Sequence, residues 1–325
     1  ILTRRQLMTT AALMLAAPGW GWAQNYPARP IKMLVGFAPG GPTDILARIV
    51  ASALGKTIGQ SVIVDNRAGA GGALAAQQLA KADADGYTIL FAGDGQMALL
   101  PQLIKNAGYE TLRDIAPIHT VAGQANVLMA NKSSGITDLA SLVRKAKAEP
   151  GRISYGSAGN GTPTHLVGAL FEAATGVELL HAPYRGAGPA MSDFLGGRLD
   201  LMFVGMPVAA QHAGNDKLAV LAVTGDQRAA RFPSTPTFTE LGVKGLGAET
   251  DVWWAVVAPK GTPEPVRAHI DQAVRAALTD PQLQQAFATQ GVAVVDRDAT
   301  ATIQRTEQDH ARWAKLIKAG KLKIE

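Results

Sequence analysis

Near the start of the chain the spacing of apolar residues changes character within one short segment. Ile31 to Phe37 is an almost unbroken apolar run, as a strand covered on both faces requires. From Ile45 the apolar residues come in pairs four apart (Ile45 and Leu46, Ile49 and Val50, Ala53 and Leu54), which puts them on one stripe of an amphipathic helix. Between the two lies Pro39-Gly40-Gly41-Pro42, so the segment predicts strand, glycine loop and helix. The glycines let the backbone turn its N–H groups outward, and Pro42 suits the first helical position. The first N–H groups of such a helix lack internal partners, so its start is a seat for an anion.

A second segment repeats the design. Ile153-Ser-Tyr-Gly156 leads into Ser157-Ala-Gly-Asn-Gly161, and Thr162-Pro163 opens a helix that runs to Phe171, with Thr162 as its N-cap. The two loops lie far apart in the chain and are expected on different lobes, where two helix N-termini facing one cleft would clamp a carboxylate from both sides.

The rest of the pattern predicts an α/β fold. Up to Gln124, strands at 62–64 and 88–92 alternate with helices, one of them the small-residue stretch 71–82. This implies a doubly wound parallel sheet with ligands at the carboxyl ends of its strands, so Asp94-Gly95-Gln96 should face the same crevice. A second series has strands at 153–156, 177–181, 199–205 and 218–224, with helices at 138–148, after Thr162 and across 188–195. Residues 226–247 have no strong period, 251–258 is a strand, and the terminal helices 263–278, 281–289 and 300–319 have no strands of their own to cover. The expected organisation is a two-lobe binding fold. One lobe comprises 24–124 plus 251–325 and the other 125–250, with a hinge where the two crossover segments pass.

Composition narrows the classes. The chain has 325 residues and 47% hydrophobic content, enough for two globular domains with real cores. Its net charge of +5 is mild and dispersed, which argues against a nucleic-acid partner. There is no cysteine, which excludes disulfides and thiolate metal sites. Residues 1–23 read as an export signal: Arg4 and Arg5, a short apolar stretch to Ala17, a Pro-Gly break, and Gly21-Trp22-Ala23 before Gln24. The paired arginines fit a twin-arginine address, and an ordinary secretory signal fits equally. The mature chain is expected in the periplasm.

Nucleotide motifs fail on spacing. Gly69-Ala-Gly71 and Gly159-Asn-Gly161 lack their third glycine, and no phosphate-loop lysine follows either. Tyr155-Gly-Ser157-Ala-Gly159 comes near a nucleophile elbow, with His165 eight residues on, so a secreted serine hydrolase built on Ser157 and His165 stands as a second reading. The six histidines show no close ligand spacing, and neither metal nor cofactor is expected.

The candidate ligand contacts are therefore Phe37, Ala38, Pro39, Gly40, Gly41 and Thr43 in the first loop, and Ser157, Ala158, Gly159, Asn160, Gly161 and Thr162 in the second. Asp44 either complements the helix dipole or touches ligand. Asp94 and Gln96 follow the third strand, His165 opens the helix after the second loop, Tyr184 and Arg185 lie in Ala182-Pro-Tyr-Arg-Gly186, and Met206 ends a strand. Of the adjacent Trp253 and Trp254, one side chain must face the core and at most one faces the ligand; Trp253 is taken as the candidate, with Trp254 as the alternative.

Together, YPARPIKMLVGFAPGGPTD, VIVDNRAGAGGALAAQQLAKADADGYTIL, SAGNGTPTHL, APYRGAGPAMSDFLGGRLDLMF, LAVLAVTGDQRAARFPSTPTFTELG and VVAPKGTPEPV resemble the Bug family, the extracytoplasmic solute receptors of the tripartite tricarboxylate transporter type. The resemblance runs in order from Tyr26 onward. It implies a monomeric periplasmic protein that closes on a small organic carboxylate, held between residues 36–44 and 157–162, and hands it to a membrane permease. Asp94-Gly95-Gln96-Met97 departs from the Ser/Thr cluster that members often carry, and the methionines of 201–206 suit an acid with an apolar body better than citrate. A sensory module on the same fold is the third reading.

Overall fold

The computed structural model describes residues 26–318 apart from 185, 248 and 249. The expected export signal and Arg185 lie outside the described residues. The first apolar run forms β1 (Ile31–Val35), paired in parallel with β2 (Val62–Asn66) and β3 (Thr88–Gly93). Helices α1 (Pro42–Ile58) and α2 (Ala73–Ala80) make the crossovers. A π-helical turn, Gly95–Leu99, then leads into the single-turn helices α3 (Leu100–Leu103) and α4 (Thr111–Asp114) and the long β4 (Ile115–Gln124).

Only Ala125 separates β4 from β5 (Asn126–Asn131), where the chain passes to a second sheet. That sheet adds β6 (Ser154–Ser157), β7 (Leu180–Pro183), β8 (Leu201–Gly205) and β9 (Leu218–Val223), in the order β7-β6-β8-β5-β9. Between them run α5 (Leu139–Ala148), α6 (Pro163–Thr175), α7 (Ala187–Leu195) and α8 (Met206–Gln211). The chain then returns as β10 (Val252–Pro259), α9 (Glu264–Leu278), α10 (Pro281–Thr289), β11 (Ala293–Asp298) and α11 (Ala299–Lys318). The first sheet has the order β11-β4-β10-β3-β1-β2.

The fold is two-lobed and α/β, but neither sheet is purely parallel. β10 lies antiparallel between β3 and β4, and β5 lies antiparallel between β8 and β9. Both are the first strand after a crossing, and a chain that re-enters a sheet without a crossover helix is free to run the other way. The apolar stripe of α1 (Leu46, Val50, Leu54) packs with Ile270, Val274 and Leu278 of α9 and Phe287 of α10 on one face of the first sheet. Wholly buried His119 ties β4 outward, with Nδ1 2.7 Å from an Asp271 carboxylate oxygen and Nε2 2.8 Å from one of Asp296.

The sheets meet along a defined seam. Ala98 and Leu99 of the π turn pack with Leu166 and Ala169 of α6 and with Trp313 of α11. Gly291, at φ 67° just before β11, leaves room for Met206 at the start of α8: an added Cβ there would lie 2.6 Å from the Met206 Cγ.

Candidate functional site

The loop after β1 is braced by α1 itself. Asp44 is 2% exposed, and its carboxylate accepts the Gly40 N–H (2.9 Å), the Arg48 Nε–H (2.9 Å) and the Asn66 amide (2.8 Å). Burial works against ionisation, but these bonds outweigh it and hold the pKa below the ordinary carboxylate value. Asp44 is thus saturated by protein, and so is the N–H of Gly40. Ala38, Pro39 and Gly40 are exposed and Phe37 and Gly41 half-buried, while the Phe37 carbonyl accepts from Asn66. With Pro42 lacking an N–H and the helical ladder starting at Ile45, which donates to Gly41, the N–H groups of Thr43 and Asp44 are the donors that the helix leaves over.

The loop after β6 is built the same way. His165 stands at the third helical position of α6, as Asp44 does in α1, and its Nδ1 accepts the N–H of Gly161, four residues back, at 3.1 Å. Gly161 has φ 72° and Gly40 has φ 82°, so in each loop a left-handed glycine is pinned by the side chain at the helix start. The second residue of each helix is a threonine: Thr164 Oγ1 accepts the Ala158 N–H at 3.0 Å, and Thr43 Oγ1 accepts the Trp254 indole N–H at 3.3 Å. Inside the second loop, Gly159 N–H bonds Ser157 Oγ, and both the N–H and the hydroxyl of Thr162 bond the Gly159 carbonyl. Asn160 is exposed, and the N–H groups of Thr164 and His165 precede the ladder that begins at Leu166.

The end of β3 lies between these helix starts. Trp254 places its Nε1 3.5 Å from where a Cβ on Gly93 would stand, and a Cβ on Gly95 would lie 4.0 Å from the Gly161 carbonyl. Leu100 and Leu103 back Gly161 from the first sheet's side. Asp94, 7% exposed, lies between the two glycines. The Asp309 carboxylate and the Arg305 and Arg312 guanidiniums of α11 act on it, and no described side chain hydrogen-bonds it.

Several expected contacts take other roles. Gln96 accepts the Gly93 N–H and donates to the Gly72 carbonyl, bracing the backbone rather than offering a free amide. Trp253 is buried among Leu34, Leu90 and Met97 and donates to Asp309 at 2.8 Å, so it is Trp254 that reaches the first loop. Tyr184 donates its hydroxyl to Asp193, and Met206 packs on Gly291. The Ser157–His165 pair that a hydrolase needs does not form. Ser157 is wholly buried, its Oγ lies 2.7 Å from His181 Nε2, and no described carboxylate is hydrogen-bonded to His181. His181 carries no sequence signal of its own: no motif or ligand spacing includes it, and only the pairing of β6 with β7 brings it to Ser157. The repeated Pro-Thr after both loops was the available signal for Thr164.

Comparison with known proteins follows the same outline. The family described as "Tripartite tricarboxylate transporter family receptor" matches residues 46–322. Protein BugT of Bordetella pertussis (strain Tohama I) is 35% identical over 304 residues, covering 93% of each chain. The structure of the periplasmic binding protein BugD superposes with a TM-score of 0.83 at 35% identity, covering 92% of this chain and 100% of that one. R. palustris Rpa4515 with adipate gives 0.83 at 32% identity, covering 90% and 97%. MatC from Rhodopseudomonas palustris with bound malate gives 0.82 at 27%, covering 90% and 100%.

Proposed function

The chain belongs to the tripartite tricarboxylate transporter receptor family, and from that premise we propose that it is a periplasmic receptor that captures a small organic carboxylate and delivers it to a membrane permease. Related structures hold adipate and malate, which supports the ligand class. Residues 1–23 are proposed as the export signal. Residues 24–124 with 251–325, and residues 125–250, are proposed as the units that close on each other about the two crossings.

One observation carries the reading: two helices begin with the same arrangement, proline, threonine and a side chain that pins a left-handed glycine, on either side of the end of β3. The ligand donors are then the N–H groups of Thr43 and Asp44 on one side and of Thr164 and His165 on the other, with exposed Asn160 at the rim. This moves the seat from the loop glycines, whose N–H groups are taken up internally, to the helix starts. Four hydrogen bonds to a charged group contribute about 1.5 to 3 kcal/mol each, or roughly 6 to 12 kcal/mol in all. Ordering ligand and lobes costs about 4 to 15 kcal/mol, so one helix start alone leaves little surplus.

Because both starts must engage one carboxylate, ligand binds the closed form better and shifts the hinge equilibrium toward it. Malate or adipate is expected to shrink the radius of gyration in solution scattering, while the corresponding dimethyl ester neither binds nor closes the protein. Undiminished binding of the ester would refute the anion seat.

A further inference from the structure

Behind the second loop the imidazoles of His165 and His181 stack face to face, with ring centroids 4.2 Å apart and planes at 8°. Tyr155 stacks on His181 at 4.7 Å. β6 and β7 pair in register with Tyr155 opposite His181, which sets that contact, and the start of α6 lays His165 over it. Each imidazole holds one part of the loop: His165 Nδ1 accepts the Gly161 N–H, and His181 Nε2 lies 2.7 Å from Ser157 Oγ.

The first of these bonds fixes a protonation state. A backbone N–H can only donate, so His165 Nδ1 must carry no proton. We propose that His165 is a positioning residue of the second carboxylate seat, holding Gly161 in place only while its ring is neutral; the seat therefore fails in acid. The proposal rests on reading this loop as a carboxylate seat.

The surroundings agree. Ser157 of β6 lies against His181, and Phe203 of β8 and Glu172 of α6 act on Tyr155 at the far side of the stack. The Glu172 carboxylate accepts the Leu179 N–H, and burial raises its pKa. Leu100 and Leu103 back Gly161 itself from the first sheet's side. Burial lowers the pKa of His165, and the positive end of α6 acts in the same direction. Burial and the proximity of His165 take His181 down to about 4. A proton on His165 removes the lone pair that Gly161 N–H uses, and a proton on both rings sets two cations face to face. The first loop is pinned instead by the Asp44 carboxylate, which, against its burial, the bonds from Arg48, Gly40 and Asn66 keep ionised below the ordinary carboxylate value.

The test uses the mature protein with malate as probe. His165→Asn keeps an acceptor oxygen at the δ position, as Asp44 does, and does not titrate; His165→Ala has no acceptor. Below the His165 pKa, the dissociation constant of the wild type is expected to rise relative to that of His165→Asn by about tenfold per pH unit, one proton being linked. At neutral pH His165→Ala should bind about tenfold more weakly than the wild type, the loss of one such bond, and Asn should recover part of it. In ligand-free protein, the Gly161 amide resonance should move with the same midpoint as the His165 ring nitrogens. Parallel pH curves for wild type and His165→Asn, or a Gly161 amide that stays still while His165 titrates, would overturn the proposal. If malate binds at no pH, the carboxylate reading is in question and the resonance experiment still decides the role of His165.

Discussion

At Asp94, burial and the neighbouring Asp309 carboxylate push the pKa up to about 7, against the Gly95 N–H and the Arg305 and Arg312 cations. The folded value lies above the ordinary 3.8, so the stability associated with this group is whole below about pH 4 and is lost as the pH rises through 7. Asp94→Asn should therefore be more stable than the wild type near pH 8, by up to roughly 4 kcal/mol, with the gap closing near pH 4; urea unfolding at the two pH values measures it. An equal gap at both would assign the effect to packing. Single residues were the least legible level of the sequence. Asp44 and Gln96 stand where ligand contacts were expected and have the right chemistry, but their side-chain polar atoms are taken up by Gly40, Arg48, Asn66, Gly72 and Gly93, partners that only the folded chain supplies. The choice between Trp253 and Trp254 depended on strand parity, which β10 sets through its pairing with β3 and its bulges against β4.

Elements were more legible, because the glycine loops and helix starts announce themselves locally. Strand, loop and helix after Ile31 and again after Ile153 are where the apolar spacing put them, and the Pro-Thr pair that opens both helices was visible as sequence. β4 was not, since Pro117, His119 and Gly123 interrupt its apolar pattern, and β11 was not, since most of it is exposed at the sheet edge. The first loop is also crowded from behind: an added Cβ at Gly36 would lie 2.7 Å from both Gln96 Nε2 and the Gly72 Cα. Backbone cannot yield as a side-chain tip can, so Gly36→Ala is expected to lower unfolding stability by about 1 to 3 kcal/mol and to weaken carboxylate binding with it. Denaturant unfolding alongside calorimetry checks both, and an alanine variant of unchanged stability would mean that the loop absorbs the methyl group.

In the whole molecule, the two sheets are joined by more than the segments that cross between them. Trp313 brings the last helix into the same apolar cluster as the π turn of one sheet and α6 of the other, so relative motion of the lobes must slide or part these side chains. The two-lobe plan was legible from the repeated loop design, whereas this seam was not, because it joins residues from three distant parts of the chain. The hydrogen bond from Trp254 to Thr43 has a practical consequence. With Thr43 a donor of the proposed anion seat, an indole whose N–H rests on it would be a fluorophore wired to occupancy, its emission shifting with the field of an arriving carboxylate. Titration with malate should shift the tryptophan emission of the wild type, and Trp254→Phe should remove most of that shift while leaving the other indoles to report closure alone. The protein would then serve as its own label-free optical sensor, and a panel of acids could be ranked in a cuvette without a permease, a membrane or a radioactive solute.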